Sequence, residues 1–438
     1  MRQLRPYQIA AIDFMKQTPR GGLFIDMGLG KTAIALHAML DLPKPILLVG
    51  PIRVIENVWR QEAELWPATR GLRFSLVRGS KSERALARKQ PADVYLTNPE
   101  ILEESLKTGI FKTLIIDESS QFKSHSTMRF KAIRKHVGSF SNRYILTGTP
   151  SPNSLLDLWS QIFILDQGER LETSFSRFRD RYFEPSDYMG YSYKPREGTL
   201  NQITSKISDL IFRVEAAGNL PPREVIRNIV SIDLPAPAKK VYKDIEKRAF
   251  AQLLQTTVTV ASAAAGLMKL RQVASGFVYD DNQVATAIHT EKIKAVESIL
   301  EETGSPVVLV YQFLHELAAL KKAFPQGKNL ETHLLPDWNS GKIPLLFLHP
   351  QSGGHGLNLQ QGSHTMIIFS ASFSYEYMAQ TMARIDRQGQ QHPVVFHFLV
   401  AKETVDELLL EVLDSKETVQ SNVLNLVRRY AIGKTSHS

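Results

Sequence analysis

The sequence predicts an α/β chain of two parallel-sheet lobes with a helical insertion. Three observations carry that prediction. An apolar strand, a glycine-rich turn and a helix follow one another through Leu23-Phe24-Ile25-Asp26-Met27-Gly28-Leu29-Gly30-Lys31-Thr32. A second apolar strand, Leu114-Ile115-Ile116, finishes in adjacent carboxylates, Asp117-Glu118. Further on, short apolar strands alternate with helical patterns, which argues for a second parallel sheet. The expected division is a first lobe over 1–150, an insertion over 151–230, a helical linker opening the second lobe over 231–284, and the second lobe over 285–438.

Composition sets the class. The 438 residues leave room for two or three domains, and 43% hydrophobic with 22% charged residues is the balance of a globular protein. There is no cysteine, which excludes disulfides and cysteine-ligated zinc and suits a reducing cytoplasm. The first residues, Met1-Arg2-Gln3-Leu4-Arg5-Pro6, run into an amphipathic segment and not an apolar signal core. The longest uncharged stretch, Ala249 to Met268, is diluted by Gln252, Gln255, threonines and serines, so a packed helix is expected and no membrane span. Net charge is +9, and it is uneven. Seven Lys or Arg face one acid, Glu83, between Arg70 and Lys89; five face none from Lys123 to Lys135. A single such cluster is ordinarily a solvated face. Two beside nucleotide chemistry point to a nucleic acid.

The elements follow in order. Gln8 precedes a helical pattern from Ile9 to Lys16; its amide can donate to and accept from an adenine edge, the alternative being a surface glutamine. Gly21 to Ile25 reads as a buried strand and Thr32 to Leu40 as a helix. Between them Gly28 and Gly30 let backbone N–H groups face an anion, and the helix points its positive end the same way. Lys31 reaches terminal phosphates in such a loop, and the Thr32 hydroxyl holds Mg²⁺. The common pattern has a glycine where this chain has Ile25. Strands are expected over Pro45–Gly50 and Val94–Thr97, ending in Pro51 and in Asn98-Pro99. Ligands to a parallel sheet bind at that carboxyl edge. Asp117 suits Mg²⁺ and Glu118 suits the attacking water, against the alternative of a surface acidic pair. Tyr144 to Pro150 supplies another strand with Thr147 and Thr149 at its tip.

The insertion breaks into helices over Leu155–Phe163 and Phe175–Phe183, then a loop with Tyr188, Tyr191 and Tyr193. Its aromatics fit nucleic-acid contact or core packing equally. Pro235-Ala236-Pro237 marks a boundary, and helices follow from Ala238 to about Ala274. Strands over Val307–Tyr311, Leu345–His349, Met366–Phe369 and Val394–Val400 alternate with helices over Leu314–Phe324 and Tyr375–Ile385. Ser352-Gly353-Gly354-His355-Gly356 is a glycine-rich turn; a transporter-type ATPase signature would precede the acidic strand, so that reading is rejected. Arg384 and Arg387 stand three apart on a helix face or its end, a spacing that aims two guanidiniums at a phosphate.

These motifs, in order and nearly end to end, resemble the Swi/Snf-related, chromatin-remodeller-type ATPases of helicase superfamily two, in their compact phage and bacterial form. The match runs from Leu4-Arg5-Pro6-Tyr7-Gln8 through Asp26-Met27-Gly28-Leu29-Gly30-Lys31-Thr32, Asp117-Glu118-Ser119-Ser120, Leu146-Thr147-Gly148-Thr149-Pro150 and Leu270-Arg271-Gln272-Val273-Ala274-Ser275-Gly276 to Arg384-Ile385-Asp386-Arg387-Gln388-Gly389-Gln390. The family's loop also lacks the early glycine. The resemblance implies two RecA-like lobes forming a helicase-type motor core. It implies that Gln8 reads adenine, that Met27 to Thr32 cradle ATP, and that Thr32 and Asp117 serve Mg²⁺. Glu118 becomes the base for water, and Arg384 and Arg387 become arginine fingers. Pro51, Thr97, Asn98, Thr147, Thr149, Ser352 and Gln380 fall where the family contacts the nucleic-acid backbone or couples it to ATP, with Gly356 on the nucleotide side. Ser119-Ser120 departs from the usual box, which bears on coupling and not on hydrolysis.

The expected protein is a monomeric, DNA-dependent ATPase that moves along double-stranded DNA, with no membrane attachment. One rival is a strand-separating DNA or RNA helicase, for which the Tyr188–Tyr193 loop would be the pin. Another is a nucleotide-switched DNA-binding or recruitment module, which intact Lys31, Glu118 and Arg387 argue against.

Overall fold

Runs such as Ile46-Leu47-Leu48-Val49 bury every side chain, which a strand does when helices cover both faces of its sheet. The computed structural model describes residues 3–148, 150, 154–186, 193–215, 224–255, 260–279, 285–353, 357–387 and 389–415. Its internal contacts divide it into two units, Met1–Pro221 and Pro222–Ser438, each with its own parallel sheet.

The first sheet has seven strands in the order Phe74–Leu76, Val94–Thr97, Ile46–Val49, Thr113–Asp117, Asn142–Thr147, Arg20–Ile25, Ile211–Val214. All pair in parallel. Their carboxyl ends therefore share one edge, and the loop after Ile25, Pro51, Asn98, Glu118 and Gly148 collect there. Side chains alternate between two cores. Leu47, Val49, Leu114, Ile116 and Ile145 pack with the helices Met128–His136 and Leu158–Asp166 on one face. Ile46, Leu48, Ile115 and Leu146 pack with the helices Pro6–Gln17, Lys31–Ala38 and Trp59–Leu65 on the other. Every residue of Leu158–Asp166 is buried, so this helix lies inside the unit.

The second sheet has six parallel strands in the order Val225–Ile232, Val394–Ala401, Thr365–Ile368, Val307–Val310, Leu345–Leu348, Lys328–Asn329. Helices Ala236–Gln255 and Val260–Ala274 occupy the stretch expected to be helical. Among the described residues, no helix is long and apolar enough to cross a membrane.

Two departures from the sequence pattern matter. The segment assigned wholly to the insertion holds a strand of each sheet. Ile211–Val214 closes the edge of the first sheet beside Arg20–Ile25, and Val225–Ile232 pairs along its length with Val394–Ala401 in the second. Neither shows a clean alternation, because each lies at a sheet edge and is only partly covered. The helix expected over Tyr375–Ile385 ends at Met382, so Arg384 and Arg387 lie beyond it and share no helical face.

Candidate functional site

The site in the first unit grows from the end of the strand Arg20–Ile25. Gly28 and Gly30 adopt φ of 82° and 80°, the left-handed region that glycine enters without a β-carbon penalty. Gly30 is also close-packed: a β-carbon there would stand 2.4 Å from Gln8 Nε2. Gln8 itself is buried. Its Oε1 accepts from the Arg5 N–H at 2.9 Å, and its Nε2 donates to the Leu29 carbonyl at 3.2 Å, which also accepts from the Tyr7 hydroxyl at 3.0 Å. The residue expected to read adenine thus also fastens the amino-terminal helix to the phosphate loop.

Lys31 opens the helix Lys31–Ala38, with Thr32 half-buried beside it. The Lys31 ammonium donates to the Ile25 carbonyl at 2.6 Å and to that of Asp26 at 3.4 Å. A β-carbon at Gly148 would stand 3.3 Å from that ammonium and 3.0 Å from Met27 Cγ, so the glycine of Thr147-Gly148-Thr149 leaves room for the lysine.

Asp117 ends its strand half-buried, with Trp59 Nε1 donating to its Oδ2 at 3.2 Å. Burial pushes its carboxyl above the usual range, while the Lys31 charge and the Trp59 hydrogen bond pull the other way. Glu118 follows at φ 57° and ψ 60°, a left-handed conformation that costs a non-glycine residue roughly 1–2 kcal/mol. Such an outlier at a strand end turns the side chain away from the line of the sheet. Ser120 Oγ donates to its Oε1 at 3.3 Å.

Of the residues nominated for nucleic-acid contact or coupling, Pro51, Thr97, Asn98 and Thr147 are all buried. Pro51 caps the helix Ile52–Asn57, its carbonyl accepting from Val54 and Ile55 N–H. Among the described residues the Thr97 hydroxyl has no hydrogen-bond partner, and Asn98 donates to the Glu100 carboxylate. Thr149, Gly356 and Gln388 lie outside the described residues, as do Tyr188 and Tyr191 and the side chain of Ser352.

In the second unit, Arg384 is buried and donates from Nη1 to the Leu357 carbonyl at 3.3 Å; its own carbonyl accepts from Leu359 N–H at 3.1 Å. Arg387 is half-buried. Gln380 is buried, its Nε2 donating to Glu376 Oε1 at 3.4 Å. Gln390 organises the turn. Its Nε2 reaches the carbonyls of Gln360, Ser363 and Ile385, and its Oε1 accepts from the Gln391 and His392 N–H groups.

Several participants fall outside the residues nominated from the sequence, although Arg271 lies within one of the matched motifs. Arg271 is buried between the Phe313 and Phe373 rings, 5.2 and 4.4 Å from their centroids, and donates to the Ala371 carbonyl. Burial lowers its guanidinium to about 10, against the pull of Glu316 and Asp406. Lys292, fully buried, pairs with Asp406 at 2.7 Å and donates to the Phe369 carbonyl at 2.9 Å. Both cations hold the backbone just ahead of the helix Tyr375–Met382, which leads to Arg384 and Arg387. In the first unit, Gln161 accepts from Ser119 Oγ at 2.7 Å and donates to the Pro150 carbonyl at 2.5 Å.

The two basic runs differ. In the first, Arg73 pairs with Asp93, Arg78 with Glu56, and Arg84 and Arg88 with Glu104, so three acids from outside the run pair with four of its seven cations. In the second, Arg129 and Lys131 have no carboxylate in ion-pair range among the described residues. Burial and the positive charge of Lys131, Arg179 and Arg134 hold His125 below its usual pKa.

Comparison with known proteins decides the family. The profile of the SNF2-related domain matches residues 7–276. The chain belongs to that family. It is 38% identical to the protein p41 of Acyrthosiphon pisum secondary endosymbiont phage 1, over 97% of this chain and 98% of p41. It is 24% identical to Bacillus subtilis YwqA, provisionally described as an ATP-dependent helicase/translocase, over 96% of this chain and 49% of YwqA. The chain therefore spans nearly all of the phage relative and about half of the bacterial one. Among solved structures it is similar to the Sulfolobus solfataricus SWI2/SNF2 ATPase core in complex with dsDNA, at 23% identity and TM-score 0.45, covering 94% of this chain and 91% of that one. As an SNF2-family member, the chain is an ATP hydrolase.

Proposed function

We propose that this SNF2-family ATPase couples ATP hydrolysis to movement along double-stranded DNA. The observation that carries the proposal is the gathering of Lys31, Thr32, Asp117 and Glu118 at one sheet edge, with Arg384 and Arg387 held at a helix end in the other unit. The first set suits binding and water activation. The second suits a charge that develops only during reaction, which makes turnover depend on both units.

Backbone N–H groups from Gly28 to Lys31, the first turn of the loop helix and the Lys31 ammonium would bind the ATP phosphates. Among the described residues no group of three metal-ligating side chains occurs. The Thr32 hydroxyl and the Asp117 carboxylate form an oxygen donor set of the kind Mg²⁺ takes when phosphates and water complete its shell. A Mg²⁺ held by Thr32 and Asp117 would neutralise phosphate charge. Glu118 orients a water whose oxygen attacks the terminal phosphorus; the bond to the bridging oxygen breaks, and Glu118 takes the proton. Arg384 and Arg387 stabilise the charge on the departing phosphate. Gln8 orients the base and holds the loop.

Translocation follows if each unit grips the backbone of one strand in turn. The run from Lys123 to Lys135, with Arg129 and Lys131 lacking acidic partners among the described residues, supports a polyanionic track. The provisional description of YwqA points the same way. Steady-state ATPase rates with duplex DNA, single-stranded DNA and RNA test the proposal, alongside triplex-displacement and fork-unwinding assays. Duplex-stimulated turnover with triplex displacement and no unwinding is expected. Stimulation by RNA alone overturns it.

A further inference from the structure

Gln161 lies on the buried helix Leu158–Asp166 and has no exposed surface. Its amide orientation is fixed by chemistry. One end meets two carbonyl oxygens, of Pro150 at 2.5 Å and Asp157 at 3.0 Å, which only accept; that end is therefore the NH₂ group. The other end is the oxygen, and Ser119 must donate to it, at 2.7 Å. Two hydrogen bonds, through Gln161, thus join the residue after Glu118 to Pro150, three residues beyond the strand Asn142–Thr147; the third ties the same amide to the start of its own helix.

The placement is selective. The strands Thr113–Asp117 and Asn142–Thr147 pair directly, with Asp117 opposite Leu146. Beyond that pair the ladder has ended, and Gln161 links the two turns that leave the strands. The same helix holds the end of the short helical turn Ser119–Phe122 that follows Glu118, because Ser160 Oγ donates to the Lys123 carbonyl at 2.5 Å. Ser119 is bonded to Glu118 through one peptide, and Glu118 sits in a left-handed conformation that a small shift of Ser119 would rotate. All nine helix residues are buried, so a displacement of the Pro150 turn is passed on and not absorbed by solvent-facing slack.

We propose that Gln161 is a positioning residue that transmits the position of Pro150 through Ser119 to Glu118. Nucleic-acid binding thereby sets the aim of the water-activating carboxylate. The inference rests on the DNA-dependent ATPase reading, and it assigns a use to Ser119, the position where the box departs from its relatives.

Full-length wild type, Ser119→Ala, Gln161→Leu and the double variant test it. Each is measured for kcat with and without saturating duplex DNA, KM for ATP, DNA affinity and thermal midpoint. DNA-stimulated kcat should fall about tenfold or more in Gln161→Leu, as slight misplacement of a catalytic group produces. KM and DNA affinity should stay within about threefold. The double variant should match Gln161→Leu, because both substitutions cut one relay. Losses that multiply overturn the relay. So does an unchanged kcat with a lowered thermal midpoint, which marks a merely structural amide. If Gln161→Leu does not fold, Ser119→Ala, which removes one hydroxyl, decides on its own: a stimulated kcat equal to wild type overturns the proposal. A wild type that DNA does not stimulate refutes the DNA-dependent reading instead, and the same cycle is then read on the DNA-free kcat.

Discussion

Asp117 and Glu118 are neighbours with opposite problems. Asp117 carries a charge that burial disfavours, and its carboxyl is raised despite Lys31. A raised carboxyl binds its proton more tightly folded than unfolded. Its contribution to stability is present at acid pH and lost as pH rises through the folded value. Asp117→Asn removes the charge and keeps an oxygen to accept from Trp59. It should raise the thermal midpoint by a few degrees at neutral pH, with the gain shrinking as pH falls and the wild-type carboxyl protonates. Activity should fall in the same variant, the usual exchange of function for stability. A midpoint gain independent of pH, followed by calorimetry from acid to neutral, would count against the charge as its cause. Glu118 is strained in its backbone. Glu118→Gln retains the strain and loses the proton acceptor, so ATP should still bind while turnover drops by about 100-fold or more. Nucleotide-binding fluorescence with single-turnover hydrolysis separates the two effects.

At the scale of elements, the phosphate loop was the most legible part of the chain and the polar network behind it the least. Gly28 and Gly30 announce the loop because the backbone there needs positive φ, and Lys31-Thr32 follow at fixed distance. The contact between Gly30 and Gln8 sharpens the reason: the second glycine also makes room for a side chain from another helix. Gly30→Ala therefore meets a 2.4 Å contact and an unfavourable φ together. It should destabilise the first unit by about 1–3 kcal/mol and raise KM for ATP as Gln8 is pushed aside, measured by denaturation and steady-state kinetics. Strands with both faces covered were likewise legible, since runs such as Val94-Tyr95-Leu96-Thr97 have one reading. Val225–Ile232 was not, because an edge strand with five exposed residues in succession lacks the apolar signal. Gln161, Gln390 and Arg271 were illegible as site residues for another reason. Their partners are carbonyls at Pro150, Ser363 and Ala371, and a sequence pattern reports side chains, not which distant backbone a side chain will meet. Likewise, the spacing of Arg384 and Arg387 left a helix face or a helix end open, and because the helix stops at Met382 they lie at its end.

For the whole molecule, the proposal requires that binding and chemistry be divided between the two units, and the two arginines allow that division to be measured. They are not equivalent. Arg384 is buried and its guanidinium braces the Leu357 carbonyl, so loss of the side chain disturbs the second unit itself. Arg387 is half-buried, while Gln390 holds the same stretch by five hydrogen bonds. Arg387→Ala should therefore leave the fold intact, with a thermal midpoint near that of wild type. ATP affinity, supplied by Lys31 and the loop, should stay within a few fold. Turnover should fall by about a thousandfold, the scale of a guanidinium that acts only on the transition state. Arg384→Ala should show the rate loss together with a lower thermal midpoint. Nucleotide binding, kcat and unfolding measured on both variants separate these outcomes. Normal turnover in Arg387→Ala would confine the chemistry to the first unit and remove the mechanical basis for translocation, because hydrolysis would then no longer require the second unit at all.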